Sequence, residues 1–394
     1  MTISELLQSD IQRYIAEKTE TDFSKLAFQS NPFPEVDFKL ILNQIECRTK
    51  SKEKLPTWYS ANLVVYPSKT SLEQTSSEIT ANYKASLVAG NSLIDVTGGF
   101  GVDDYYFAQK LQQVYHCEMN DELSELVAHN FKQLNVNITC ISGDSTQILT
   151  ELNQKFDTIY IDPSRRNDVK GKVFMLKDCL PNVPNLLDFY FQYASKIMIK
   201  TAPILDISAG LSELKFVKTI HIVAVENEVK ELLWEIEGKY EEQITIKTIN
   251  FNKDKEETFE FQWQSNPTST YSLPKKYVYE PNSAIMKSGG FAQIGNQFGL
   301  NKLHQHSHLY TSDELIDFPG RIFQINQFFN YSNTNMKQNF VDLQSNITTR
   351  NFPETVSTIR KKWKIKDGGK VYSFFTTDKN DIKIVLLCSK IKFK

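Results

Sequence analysis

Apolar positions change their period twice along the chain. Over the first seventy residues they recur at helical spacing. Ser4-Glu5-Leu6-Leu7-Gln8-Ser9-Asp10-Ile11 opens with an N-cap candidate and continues at that spacing. Breakers at Asn31-Pro32-Phe33-Pro34 precede a second helical stretch, 38–52, which Pro56 is expected to end. After Pro67, Ser71-Leu72-Glu73-Gln74-Thr75-Ser76-Ser77-Glu78-Ile79 reads as a capped helix running to about Leu87.

From Ser92 onward, short apolar runs alternate with amphipathic stretches. The pattern predicts strands over 92–97, 114–118, 138–141, 158–161, 197–199, 220–226 and 232–236. It predicts helices over 103–111, 121–134 and 146–152, the second with Leu123, Leu126, Val127, Phe131 and Leu134 on one face. Strands separated by helices of this length predict an α/β fold with a doubly wound parallel sheet. The last third alternates with period two over 243–251 and 258–263. A hairpin-like pair follows at 370–375 and 382–388, and 353–364 reads as a helix with Pro353 near its first position and Glu354 in its first turn. This third reads as one or two small α+β modules.

A length of 394 residues fits two or three domains, and a composition of 40% hydrophobic and 23% charged residues is globular. No apolar run approaches the roughly 18 residues of a membrane span, and residues 1–10 lack a secretory signal pattern, so no membrane partner is expected. Five scattered cysteines with no CxxC pair argue against a zinc ribbon or disulfide framework and fit a reducing cytoplasm. The net charge is −2, but residues 345–394 carry twelve Lys or Arg against four acids, +8 there and −10 on the rest. A basic end on an acidic body suits a module that meets a polyanion. A solvated Lys-rich surface explains the same numbers.

The strongest chemical signal is Leu93-Ile94-Asp95-Val96-Thr97-Gly98-Gly99-Phe100-Gly101, at a strand end that opens a helix. Glycines there let backbone pass close to a ligand. A dinucleotide turn would be G-x-G-x-x-G and would hold a pyrophosphate. Here Asp95 precedes the first glycine by three residues, and a carboxylate repels a diphosphate but favours an ammonium. S-adenosylmethionine (SAM) carries an ammonium and a sulfonium and no phosphate, so the pattern reads as a SAM loop. A tight strand–helix turn of any doubly wound protein is the plainer reading. Glu118 ends the next strand, where an acid can accept from ribose hydroxyls. Asp144, in Ser142-Gly143-Asp144-Ser145, follows the third strand, where it can accept from an adenine amine or cap a helix. The fourth strand ends in Ile161-Asp162-Pro163-Ser164-Arg165-Arg166. Strand carboxyl ends face the ligand crevice, so Asp162 is placed next to the methyl donor, and Pro163 stiffens its turn. Only seven of 45 basic residues are Arg, so Arg165 beside Arg166 suggests bidentate binding of phosphate or carboxylate, or a structural ion pair.

These motifs together resemble the class I SAM-dependent methyltransferases. More narrowly, the chain is similar to a bacterial subgroup with a C-terminal ferredoxin-like and THUMP-like region. The likeness extends to Leu72 through Lys84, to Glu226-Asn227-Glu228-Val229-Lys230-Glu231, and to Tyr279-Glu280-Pro281-Asn282. It continues in Ser307-His308-Leu309-Tyr310-Thr311-Ser312, in Phe318-Pro319-Gly320-Arg321, and in Lys361 through Gly369. The resemblance covers the chain from about residue 70 to the end and implies a Rossmann-like methyltransferase sheet over 71–239, a small ferredoxin-like region over 240–320 and a basic THUMP-like domain over 321–394; the helical segment over 1–70 is read from its periodicity alone. It implies SAM as cofactor, held by Asp95, Thr97, Gly98, Gly99, Gly101, Glu118 and Asp144. It places the methyl acceptor near Asp162, with Pro163 and Arg165. It implies RNA, as tRNA or rRNA, for the partner.

Departures from related patterns narrow the chemistry. Amine methylases usually follow N/D-P-P with an aromatic residue; here Ser164 and Arg165 follow Pro163. Carbon-5 pyrimidine methylation needs a thiolate, and the strand end Lys200-Thr201-Ala202-Pro203 has none. Cys179 reads as buried structure. His304, His306 and His308 alternate and would share one face of a strand, but no acid or Cys cluster accompanies them, so no metal is expected. The run Arg360-Lys361-Lys362-Trp363-Lys364-Ile365-Lys366 interleaves charge with an aromatic, which suits phosphate contact and base stacking, or a solvated helix face with Trp363 packed inside. The reading that results is a SAM-dependent RNA methyltransferase in which Asp162 orients or deprotonates the acceptor, Arg165 and Arg166 hold a phosphate, and Arg360, Lys361, Lys362, Lys364 and Lys366 dock the RNA. A protein or small-molecule acceptor, and a non-catalytic RNA-binding assembly factor, are the alternatives.

Overall fold

The computed structural model describes residues 3–26, 28–165, 175–265, 267–340 and 344–391. Arg166 lies outside the described residues. The chain divides into two compact units, Met1–Lys218 with Leu232–Glu242, and Thr219–Glu231 with Gln243–Lys394.

The first unit is built on a parallel sheet. Its strands are β1 (Ser92–Asp95), β2 (Gln113–Glu118), β3 (Thr139–Ser142), β4 (Phe156–Ile161) and β5 (Ala194–Thr201). They pair in parallel in the order β3-β2-β1-β4-β5. The α/β class and doubly wound parallel core read from the sequence are therefore observed. Leu93 and Ile94 are fully buried, as a central strand covered on both faces requires. Parallel pairing brings the ends of all five strands to one edge, with Asp95, Glu118 and Asp162 at or just past three of them. One strand departs from the simple alternation: residues 232–237 run antiparallel to β5. The preceding link, Glu226 and Asn227, has φ of 49° and 62°, a two-residue reversal of the chain rather than a helical crossover.

The first seventy residues join the core of this unit. Helices Ser9–Lys18 and Phe38–Lys54 bury Ile11, Ile15, Ile41 and Ile45 in one cluster with Trp58, Phe100, Val102, Val127 and Phe131. Asn130 extends the packing by side chain: its carbonyl accepts from Val65 N–H (2.9 Å) and its amide donates to Val65 C=O (2.8 Å). Pro56 does more than end a helix. Helix Phe38–Lys54 stops before it, and Pro56 opens the next turn, Pro56–Ser60. The single helix expected over 71–87 is two, Lys69–Gln74 and Glu78–Leu87. The break falls at Thr75-Ser76-Ser77, because Ser77 caps the second helix at Thr80 N–H and Ser76 turns its hydroxyl to Asp103 (2.9 Å).

In the second unit, residues 219–225 pair in parallel with Thr245–Phe251, which pairs antiparallel with Glu256–Gln262. A further seven-stranded sheet runs from Asn301–Lys302 through Tyr310–Ser312, Tyr277–Pro281, Gly320–Asn330, Lys383–Lys390 and Lys366–Thr377 to Gln344–Thr349. The predicted terminal hairpin is present, Lys366–Thr377 against Lys383–Lys390. The helix expected from Pro353 starts later, at Val356, because Thr355 supplies the cap to Thr358 N–H. Glu354 instead accepts from Tyr331 Oη and Lys362 Nζ. No helix among the described residues is long and apolar enough to cross a membrane.

Candidate active site

The loop after β1 is held from beneath. Asp95 is 2% exposed, and its carboxylate accepts from Thr97 N–H (2.7 Å) and Thr97 Oγ1 (2.9 Å). Gly98 N–H donates to Cys117 C=O on β2 (2.8 Å). A Cβ on Gly98 would lie 2.2 Å from the His116 ring, which is fully buried and bonded through Nδ1 to buried Asp104 (2.6 Å). That ring cannot yield, so the position must be glycine. Gly101 has φ 73°, and a Cβ there would meet Phe131 at 2.5 Å. Gly99 differs: at φ 56°, a Cβ would meet nothing of the protein nearer than 3.7 Å. Burial pushes the carboxyls of Asp95 and Asp104 well above the usual range, and the same burial holds the His116 imidazole below its ordinary value.

Above this loop lies a cavity of about 880 Å³ within the first unit. Its size is that of a small-molecule site. Asp95, Asp103, Glu118, Asp144 and Asp162 line it, and no Lys, Arg or His does among the described residues. Met119, Leu123, Leu180 and Leu186 supply apolar surface. Glu118 is pre-positioned, accepting from Gly99 N–H (3.0 Å) and Asn120 N–H (2.8 Å). Asp144 caps helix Ser145–Leu152, and all its bonds, to Thr146 N–H, Thr146 Oγ1 and Gln147 N–H, fall on Oδ1. Those bonds hold its carboxyl below the usual range. The capping role is thus present, and the same carboxylate faces the cavity.

Asp162 sits past β4. Its N–H donates to Thr97 Oγ1 (2.7 Å), and its carboxylate accepts from Lys200 Nζ. Lys200 lies near the end of β5, whose Ile199 is in register with Ile161, so its ammonium reaches Asp162 from the adjacent strand. Arg165 is exposed, on the two-residue strand Ser164–Arg165 that pairs with Cys179–Leu180. Cys179 is fully buried, and burial pushes its thiol up to about 11.

Comparison with known proteins sets this geometry in context. A candidate methyltransferase of Porphyromonas gingivalis W83 matches at 31% identity over 99% of both chains, with a TM-score of 0.88. The chain belongs to that methyltransferase family. Residues 277–319 match the model of a ferredoxin-like domain, and residues 320–390 match that of a THUMP domain-like family. An uncharacterized RNA methyltransferase of Clostridium acetobutylicum is 32% identical over 79 residues, 20% of this chain; the chain spans only 17% of that relative's length.

In this methyltransferase, several cavity residues carried no signal in the sequence. Asp103 accepts from Ser76 Oγ (2.9 Å) and Tyr160 Oη (2.7 Å), and lies 3.2 Å from Lys84 Nζ, itself fully buried. Lys84 also donates to Ser76 Oγ (2.9 Å). Losing Lys84 alone would strand a buried carboxylate, at about 3–5 kcal/mol. Helix Glu78–Leu87 mixes polar with apolar residues, so its sequence does not mark Lys84 as buried. Lys200 was visible only as a lone cation in Ile197-Met198-Ile199-Lys200.

Outside the cavity, the histidines and the basic run are separated by role. Residues 303–309 form a turn, not a strand, so the three histidines do not share a face. His304 donates from Nε2 to Asp381 (2.9 Å) and accepts at Nδ1 from Asn351 (2.9 Å) and the His306 N–H (3.1 Å). Among the described residues, no three His, Cys, Asp or Glu side chains converge as metal ligands. In helix Val356–Trp363, Arg360 bonds Asp367 and the Ser345 carbonyl, Lys362 bonds Glu354, and Trp363 packs inward with Nε1 on Tyr331 Oη (3.0 Å). Lys361, Lys364 and Lys366 are exposed.

Proposed function

We propose that the chain is a SAM-dependent methyltransferase acting on a nucleotide of structured RNA. The observation that carries the cofactor reading is the lining of the cavity, five acids and, among the described residues, no base. Such a wall favours a cation that also presents hydroxyl and amine donors, and disfavours a diphosphate. SAM fits that description, and Gly99 leaves room for it beside the backbone. Asp95, Thr97, Gly98, Gly99 and Gly101 would form the bed, with Glu118 accepting from ribose hydroxyls and Asp144 from the adenine amine through its free oxygen.

SAM supplies a methyl group on a sulfonium that is already a good leaving group. The protein's contribution is then positioning. Thr97 ties the loop below the donor to the Asp162 turn, while Pro163 limits that turn. Lys200 holds one oxygen of Asp162, leaving the other to orient the acceptor or take its proton. Arg165 and Arg166 would hold a neighbouring phosphate. The RNA reading rests on the THUMP domain-like match, the local likeness to a named RNA methyltransferase and the +8 charge of residues 345–394. Of the basic run, Lys361, Lys364 and Lys366 are exposed for such contact, with Arg360 and Lys362 at their side.

Calorimetry tests the cofactor step. S-adenosylhomocysteine should bind and NAD should not, and Glu118→Ala should weaken binding about ten- to hundredfold, the loss of a charge-assisted bond of about 1.5–3 kcal/mol. Binding of NAD in preference, or an undiminished affinity in Glu118→Ala, would refute the assignment.

A further inference from the structure

The second unit contains a pair of arginines that the methyl-transfer chemistry does not use. Glu280 is 3% exposed at its side chain, on strand Tyr277–Pro281. Opposite it in antiparallel register stands Arg321, which donates from Nε to Glu280 Oε2 (2.7 Å), with Nη2 on the same oxygen. Arg350, just past strand Gln344–Thr349, donates to the other oxygen from Nε (3.2 Å) and Nη2 (2.9 Å). One buried carboxylate therefore holds two guanidiniums in place. The pairing needs Gly320, where a Cβ would lie 2.2 Å from the Glu280 carbonyl.

Both arginines spend the same edge on Glu280. Neither Nη1 has a partner among the described residues, and the side chains are 39% and 34% exposed. Lys302 and Arg350 both act on the imidazole of His308. Lys302 is 5% exposed, and its ammonium donates to the Gln305 carbonyl (2.9 Å) and lies 5.8 Å from the centroid of the Phe291 ring. Burial holds its ammonium below the ordinary value. His308 stacks on Phe291 at 3.6 Å and leaves Nδ1 buried and unpartnered. Its imidazole is pushed down to about 4 by burial first, then by Lys302, Arg350 and His306. Two guanidiniums held together on one carboxylate, each with an Nη1 left over, Arg321 also lying over the Phe323 ring, can offer a pair of donors to a phosphate. Only seven arginines occur in the chain, and two of them are here.

We propose that Arg321 and Arg350, clamped by Glu280, form a phosphate-binding fork that takes a backbone or terminal phosphate of the RNA substrate. The identity of the ligand rests on the RNA reading above; the fork itself does not. Glu280 is a positioning residue and makes no ligand contact.

The test uses the full chain, with bulk tRNA by fluorescence anisotropy over a salt series and inorganic pyrophosphate by calorimetry. Arg321→Gln and Arg350→Gln should each lose pyrophosphate binding and lower the salt slope for tRNA by about 1. Arg321→Lys and Arg350→Lys keep the charge and serve where a Gln variant fails to fold; they should lose most of the pyrophosphate affinity because the planar fork is gone. S-adenosylhomocysteine affinity should stay unchanged throughout. If the wild type binds pyrophosphate but not tRNA, the fork stands and the RNA reading falls. If folded variants keep wild-type pyrophosphate affinity and salt slope, or the wild type binds no pyrophosphate, the arginine pair is structural and the proposal is wrong.

Discussion

At the residue scale, Thr97 is where the two sides of the cavity meet. Its hydroxyl donates to Asp95 and accepts from the Asp162 N–H. In the proposed reading one side chain therefore ties the donor side to the acceptor side, while Lys200 bonds the Asp162 carboxylate. Asp162→Ala should lower methyl transfer by about 10²–10⁴ while leaving S-adenosylhomocysteine affinity within about twofold, read by single-turnover kinetics and calorimetry. Full activity in that variant would remove Asp162 from the mechanism. A second expectation concerns protons. Burial, with Asp104 nearby, raises the Asp95 carboxyl. A cationic donor favours the ionised form, so binding should release a proton, and affinity should rise with pH between the usual carboxylate range and the raised value. Calorimetry in buffers of different ionisation enthalpy reads this directly. Release should vanish in Asp95→Asn, and proton uptake by the wild type would contradict the account. Asp95, Glu118, Asp144 and Asp162 were legible as neighbours because the ends of strands in a parallel sheet lie along one edge. Lys200 and Asp103 were not, because their partners are fixed by register and by a helix far away in sequence.

At the scale of elements, the N-terminal helices do more than cover the sheet. Trp58 is fully buried, 6.3 Å from Phe100 of the glycine loop and 5.0 Å from Tyr105 of the helix after it. Trp58→Ala should cost about 3–5 kcal/mol in urea unfolding and weaken cofactor binding by loosening Phe100. A destabilised variant with unchanged affinity would separate the helices from the site. The elements misread from sequence share a cause. The break at Thr75-Ser76-Ser77, the turn at 303–309 and the reversal at Glu226-Asn227 are set by side-chain caps or by positive φ in non-glycine residues, which hydrophobic period does not encode. Strands β1 and β4 were legible, since burial on both faces gives short runs of apolar residues, while β2 and β3 were legible mainly from their place between predicted helices.

For the whole molecule, charge and architecture divide along the chain. An acid-lined cavity lies in the first unit, and the second carries the basic end and the arginine fork. Under the proposed function the acid-lined cavity would take the cationic cofactor and the basic second unit the polyanionic substrate. The most direct test is partition of a labelled methyl group. Protein and methyl-labelled SAM are incubated with an extract of cells lacking this gene, and label is sized into tRNA, rRNA, protein and small molecules. The account predicts label in one RNA fraction, lost with Asp162→Ala. Label only in protein or small molecules, or equal label with the variant, would contradict it.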